Sequence, residues 1–330
     1  MKLGFAVKVL GREGLRSHDT RRWQSDPDLG TSIGYLHRIF DYLEDIDVRM
    51  YRMASGIAPY ASHPQHRHFR DQPTRFSKEL RALGDRAREA GLRLSMHPGQ
   101  YTVLNSHNEA TVHAAVEELE VHAEILEAMA LERESVIVLH VGGLAGDRED
   151  AKARFEKGFA LLSERAQTRL VLENDDRLFG LSDVLDIAAR TGCPVVWDVL
   201  HHHCFDPDHV PDDEALRLAM ATWPKGVRPK IHYSTPKTSM QVARKKVGRR
   251  TVSVPLSPPL RAHADLIDPI GFEWFMREVV RDLNIDIMLE AKGKDLALLK
   301  LREHLAERNL YPESSATSTA KSPKRSAAGG

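Results

Sequence analysis

Six short apolar runs in this chain each end on a side chain that can ligate a metal. They are Leu94-Ser95-Met96-His97, Val136-Ile137-Val138-Leu139-His140, Leu170-Val171-Leu172-Glu173, Val195-Val196-Trp197-Asp198, Lys230-Ile231-His232 and Ile287-Met288-Leu289-Glu290. Runs this short and this rich in aliphatic residues have the character of parallel strands buried on both faces. One such ending is commonplace. Six in series place six ligands along the same edge of one sheet, the edge on which a (β/α)8 barrel builds its active site.

The rest of the chain supports that architecture. Strands are expected at Leu3–Val7, Val48–Arg52, Leu92–His97, Val136–His140, Arg169–Glu173, Pro194–Asp198, Pro229–Tyr233 and Ile285–Glu290. Helical periodicity lies between them, at Ser32–Glu44, Thr74–Ala90, Glu109–Leu131, Arg148–Arg165, Ser182–Thr191, Asp212–Thr222, Gly271–Leu283 and Lys294–Arg308. Eight alternations predict an α/β fold, a TIM barrel over residues 1–311 with a metal cluster at the C-terminal face of its strands. Ser106-His107-Asn108-Glu109 reads as a capping box opening the third helix. Residues 235–261 form an insertion holding Lys237, Arg244, Lys245, Lys246, Arg249, Arg250 and Arg261 and no acidic residue. The tail at 312–330, rich in Ser, Thr, Ala, Lys and Gly, cannot bury a core and is expected to be disordered.

Of the 330 residues, 42% are hydrophobic, enough for a large core, and no apolar run approaches the roughly 20 residues that span a bilayer. The start of the chain lacks signal-peptide features, and two cysteines cannot make a disulfide framework or a cysteine zinc site. A monomer in the cytoplasm, with no membrane association, is the expectation. Net charge is zero, so any affinity for nucleic acid has to come from a local patch.

Strand alternation sharpens the metal argument. Val138 and His140, Val171 and Glu173, and Val196 and Asp198 share a face, so each valine fills the barrel while its partner caps the mouth. Buried carboxylates and imidazoles need compensation, which divalent ions supply. Loops past the strands add His63, His201 and His263. Mixed imidazole and carboxylate ligands suit Mn²⁺, Zn²⁺ or Fe²⁺. Eight or more ligands exceed what one ion can use, so two or three ions are expected, an arrangement fitted to phosphoryl-oxygen chemistry. His66, His68, His107, His113, His122, His202 and His203 lack that placement and are expected to be structural or surface groups. Lys230 lies two residues before His232 on the inward face. It is either neutral there, carboxylated to an anionic carbamate, or an ordinary cation reaching outward to a phosphate.

Several strings resemble the UV damage endonuclease family. They are Met96-His97-Pro98-Gly99-Gln100-Tyr101, Leu104-Asn105-Ser106, Leu139-His140-Val141-Gly142-Gly143, Leu172-Glu173-Asn174-Asp175-Asp176, Trp197-Asp198 through His203, Lys230-Ile231-His232-Tyr233-Ser234 and Leu289-Glu290-Ala291-Lys292-Gly293-Lys294. The resemblance covers about residues 3–300. It implies a barrel related in architecture to endonuclease IV that nicks DNA on the 5′ side of photoproducts with a manganese-type cluster and without ATP. It implies metal ligation by His97, His140, Glu173, Asp198, His201, His232, His263 and Glu290, catalytic roles for Glu173, Lys230 and His232, and carboxylation of Lys230. It also implies a lesion-side role for His63 and a damage probe formed by Gln100 and Tyr101. The family often carries a second probe of Tyr and Asn after the first strand. Phe5 and Val9 stand there in this chain, so Phe5 is expected to stack on the other strand without polar help. The insertion looks longer than is usual in the family, and Lys245, Lys246, Arg249 and Arg250 are expected to grip phosphates.

Three rivals remain at this stage. An endonuclease IV-type enzyme acting at abasic sites would have nearly the same metal residues. A metal-dependent sugar isomerase or epimerase would share the barrel but gain nothing from the basic insertion. A lesion-binding protein without catalysis would not need so complete a ligand set.

Overall fold

The computed structural model describes residues 1–248 and 250–308. The expectations for Arg249, for residues 309–311 and for the 312–330 tail lie outside the described residues. The strands are β1 (Leu3–Ala6), β2 (Met50–Arg52), β3 (Arg93–Ser95), β4 (Ile137–His140), β5 (Leu170–Glu173), β6 (Val195–Val196), β7 (Lys230–Tyr233), β8 (Gln241–Val247), β9 (Arg250–Leu256) and β10 (Asp286–Leu289). Five of them line up in the order β3-β2-β1-β10-β7 and three as β4-β5-β6, every neighbouring pair parallel. Single bridges from Met96 to Ile137 and from Asp198 to His232 join the two groups at both seams, closing a TIM barrel. All eight expected barrel strands are present, each shorter than the span expected for it.

The helices follow the expected order with three refinements. The Arg148–Arg165 segment breaks into Arg148–Phe159 and Glu164–Arg169, because Ser163 caps a new helix by accepting from the Ala166 amide. The Gly271–Leu283 segment begins at Pro269, where the Asp268 carboxylate caps the Ile270 and Gly271 amides, and passes into a π-helical turn at Phe275–Val280. The capping box at Ser106 is corrected. The N-cap of Glu109–Ala128 is Asn108, whose side chain accepts from Ala110 and Thr111, while Ser106 accepts from the Asn108 amide one turn earlier. No helix among the described residues is long and apolar enough to cross a membrane.

Alternation along the strands divides the core in two. Leu3, Phe5, Tyr51, Leu94, Leu139, Leu172 and Ile287 face the helices and join the main core. Val136, Val138, Val171 and Val196 form a second cluster inside the barrel, and Ala6, Met50 and Met288 a third. Gly4 is required on the inward face, since a Cβ there would lie 2.7 Å from Met50. This division overturns the stacking role expected of Phe5. Gly4 and Ala6 take the inward positions, so Phe5 points outward among the helices, with no exposed surface and its ring edge-on to Tyr51. Val9 is likewise buried in the helix-facing core, so this loop offers no aromatic probe at either position.

Candidate metal centre

Apart from β1, which ends inward on Ala6, each barrel strand has a polar inward residue at its mouth, and the ligand-capable ones converge on Glu173. One carboxylate oxygen, Oε2, lies 2.9 Å from His97 Nε2 and 3.3 Å from His140 Nε2. The other, Oε1, lies 2.7 Å from His232 Nδ1 and 3.8 Å from His201 Nδ1. Three groups able to hold an ion share this one side chain: His97, His140 and Glu173; Glu173, Asp198 and His201; and Glu173, His232 and Glu290. In each group the donor atoms lie within 4.8 Å of one another. His263 stands at the edge, with Nδ1 3.8 Å from Glu290 Oε2 and its ring 6.2 Å from that of His201.

Local structure explains several of these placements. Asp198 ends the β6 run and also caps the helix Val199–Cys204, with Oδ1 accepting from the His201 amide at 2.8 Å. His201 therefore sits in the first turn of a helix, not on the loop expected from sequence. Asn174 braces the pair. Its side chain exchanges two hydrogen bonds with the backbone of Asp198, and its carbonyl lies 3.0 Å from His201 Nδ1. Arg52, the inward residue ending β2, places Nη1 2.6 Å from Glu290 Oε1. Sequence reasoning assigned no role to Arg52 or Asn174. Arg52 could have been found by applying the strand-end rule to cations as well as to ligands.

The donor set fits divalent metal. Asp198 Oδ2 and His232 Nε2 are buried without a hydrogen-bond partner among the described residues, an arrangement that a cation would satisfy. Burial pushes the Asp198 carboxyl up to about 7, against the pull of His201 and with the help of Glu173 and Glu290. Burial alone would lower His201, but Asp198 and Glu173 raise it to about 9. Burial drives His232 down to about 4, and it also lowers His140 and His263. Burial would raise Glu173, but His232 and His140 hold it well below the usual carboxylate range. Ligation requires ionised carboxylates and neutral imidazoles. His201 keeps its proton to about 9, so metal uptake near neutral pH must displace it. Titration of metal-free protein with Mn²⁺ is expected to release about one proton or more, and affinity should rise with pH up to about 9. Calorimetry in buffers of different ionisation enthalpy measures the release, and a buffer-independent heat would contradict this assignment.

Lys230 is fully buried on the inward face of β7, and its Nζ has no hydrogen-bond partner among the described residues. That position overturns the outward, phosphate-binding alternative. Burial, with Arg93 and Arg52 adding repulsion, lowers its pKa far below the ordinary lysine value despite Glu173 and Glu290. The neighbouring buried cation is matched differently: Arg93 Nη1 lies 2.9 Å from Asp286 Oδ2 deep in the barrel.

Other expected site residues lie around this centre. Gln100 lines a cleft of about 380 Å³ together with His140, His201, Asp175 and Asp176, and Tyr101 beside it is 83% exposed. His63 is not part of the three ligand groups. It lines a separate cavity of about 410 Å³ with Arg67, Arg70, His113 and Glu117. Lys245, Lys246 and Arg250 stand on the exposed β8–β9 hairpin.

Fold and site together define a class: a TIM barrel whose strand ends carry a carboxylate and imidazole cluster suited to divalent metal. The chain belongs to the UV-endonuclease UvdE family, which it matches over residues 28–317. It is 33% identical over 276 residues to the UV DNA damage endonuclease of Clostridium perfringens, covering 83% of this chain and 62% of that protein. With the UV DNA damage endonuclease of Bacillus pumilus it shares 34% identity over 263 residues, 79% of this chain and 76% of that one. The crystal structure of SacUVDE is similar at a TM-score of 0.78 and 32% identity, covering 94% of this chain and all of that chain.

Proposed function

We propose that this protein is a DNA repair endonuclease that hydrolyses the phosphodiester backbone on the 5′ side of ultraviolet photoproducts and related lesions, using two or three divalent ions and no ATP. Its partner is damaged double-stranded DNA, and the chain acts as a monomer in the cytoplasm. The observation that carries the reading is the single carboxylate of Glu173 shared by three groups of ligand-capable side chains. Membership of the UvdE family, with relatives named as UV DNA damage endonucleases, supports the choice of substrate. Mn²⁺ is favoured, with Zn²⁺ or Fe²⁺ compatible with the same donors.

Divalent ions at this centre would neutralise phosphate charge and acidify a water molecule. His97, His140 and Glu173 would form one binding group, Asp198 and His201 a second, and His232 and Glu290 a third, with His263 closing the rim. Arg52 fixes Glu290, and Asn174 fixes Asp198 and His201, so the donors are held before substrate arrives. Lys230, whose amine has no hydrogen-bond partner among the described residues, would join the cluster as a carbamate, and the added carboxylate would relieve its isolation.

The deciding experiment incubates purified protein with UV-irradiated and unirradiated supercoiled plasmid, with Mn²⁺ or with EDTA. Nicking is expected only of irradiated plasmid with metal. Cleavage of an abasic-site duplex without cleavage of photoproducts would replace this reading with the abasic-site alternative.

Gln100 and Tyr101 follow His97 by three and four residues and stand exposed beside the cleft, where they would fill the gap left by displaced bases. An aromatic face there contributes about 1–3 kcal/mol per stacked base. Replacing both with Ala should leave metal content intact and lower the preference for damaged duplex by roughly tenfold or more. Competition binding with matched damaged and undamaged duplexes measures it. Undiminished preference would move recognition to the bendability of the damaged duplex or to the cavity around His63.

A further inference from the structure

The β8–β9 hairpin has no obvious job in holding the barrel together. Its pairing runs from Gln241 opposite Leu256 to Val247 opposite Arg250 and turns at Gly248, whose φ of +61° suits glycine. Almost every residue of both strands is exposed, including Val242 at 73% and Leu256 at 54%. A lone two-stranded ribbon is marginal in water, and both of its strands stay exposed among the described residues.

Its base, in contrast, is fixed to the metal centre. Pro236 bridges His263, the Lys237 amide donates to the Ala262 carbonyl, and the Ala264 amide donates to the Thr235 carbonyl. Arg261 Nε lies 3.3 Å from Asp176 Oδ2, tying the same base to the loop that follows Glu173. The ribbon thus projects from the rim at which a scissile phosphate would sit.

The chemistry of the ribbon suits a polyanion with apolar walls. Cross-strand partners share a face. One face carries Arg244 and Lys246 beside Ser253 and Thr251. The other carries Lys245 and Arg250 beside Val252, Val254 and Leu256. Residues 235–261 contain no acidic side chain to compete with phosphate. A two-stranded ribbon is narrow enough to enter the major groove of a DNA duplex.

We propose that this ribbon is an arm that grips intact duplex on one side of the cleavage site, outside the lesion itself. The proposal rests on the endonuclease reading above. Each strand has seven residues, a reach of about 23 Å at roughly 3.3 Å per residue. At roughly 3.4 Å per base pair, the arm extends the footprint by about seven base pairs in one direction only.

Two variants test it. One replaces residues 240–257 with a short Gly-Ser linker, keeping the Pro236–His263 base. The other keeps the ribbon and carries Arg244→Gln, Lys245→Gln, Lys246→Gln and Arg250→Gln together. Both are compared with the intact protein on single-photoproduct duplexes whose two flanks are lengthened independently, and on undamaged duplex followed by fluorescence anisotropy across a salt series. For the intact protein, lengthening one flank by about seven base pairs beyond the core site should lower KM about tenfold. Both variants should lose that gain on the same flank, and their salt slope should flatten by about two to four units. Equal flank dependence and salt slope in all three proteins would overturn the proposal. So would an equal loss of kcat on long and short flanks, which means the ribbon only shapes the metal centre through His263. Variants that lose binding to anionic lipid vesicles but not to duplex would overturn it in favour of a membrane partner. Should the intact protein nick no photoproduct, the endonuclease reading fails by itself, and the undamaged-duplex arm still decides whether the ribbon grips DNA.

Discussion

Glu173→Gln is expected to lower nicking of irradiated DNA by roughly a hundredfold to ten-thousandfold while the protein stays folded. The side chain is 1% exposed and touches His97, His140 and His232 at 2.7–3.3 Å, so it is shared by all three ligand groups. The amide keeps the size and one acceptor of the carboxylate but removes the charge that three sites draw upon. Each group would lose a ligand at once, so the loss should exceed that of a change confined to one group, such as His140→Gln. The barrel itself is held by the valine cluster beneath the mouth and by the larger helix-facing core, neither of which this change disturbs. Single-turnover nicking, metal content by mass spectrometry and a circular-dichroism melt separate the effects. Wild-type rates with a full complement of metal would defeat the shared-carboxylate mechanism.

Lys230→Met should separate stability from activity in opposite directions. The lysine amine is buried without a hydrogen-bond partner among the described residues, a situation that costs about 1–3 kcal/mol, and Met fills similar volume with no polar atom. In chelator, the variant is expected to be more stable than the wild type by chemical denaturation. With metal, its nicking should fall by roughly tenfold to a hundredfold, because a carbamate at this position would be lost. Binding to undamaged duplex should change little, since the residue is inside the barrel. Labelling the wild type with carbon-13 bicarbonate should give a carbamate resonance that the variant lacks. Unchanged nicking by Lys230→Met would remove this residue from the mechanism.

Much of the fold was legible because parallel strands buried on both faces leave a plain signature of short aliphatic runs. The ends of those runs were legible for a related reason. A polar residue two positions beyond an inward valine has to face the barrel mouth, as Val138 with His140 and Val171 with Glu173 do. The same rule, carried to β1, would have prevented the error over Phe5. Its neighbours Gly4 and Ala6 are the small residues that an inward face there demands, which sends Phe5 among the helices. The hairpin was less legible, since its strands bury no face and β8, Gln241–Val247, carries its cations on both faces, although β9 alternates Val252, Val254 and Leu256 with Thr251 and Ser253. Its charge was the feature read.

The sequence by itself determined the barrel, the six strand-end side chains able to ligate a metal and the family, because each depends on local periodicity or on contiguous strings. Tertiary structure alone decided that the ligands meet. His97 and Glu173 are 76 residues apart, and only closure of the sheet brings them to 2.9 Å. It also decided that Glu173 is shared by three ligand-capable groups, that Arg52 fixes Glu290 and Asn174 fixes Asp198 and His201, and that Lys230 has no hydrogen-bond partner among the described residues. Those outcomes depend on register around a closed barrel, which fixes how far each strand end stands above its neighbour, and no local pattern in the chain encodes that stagger.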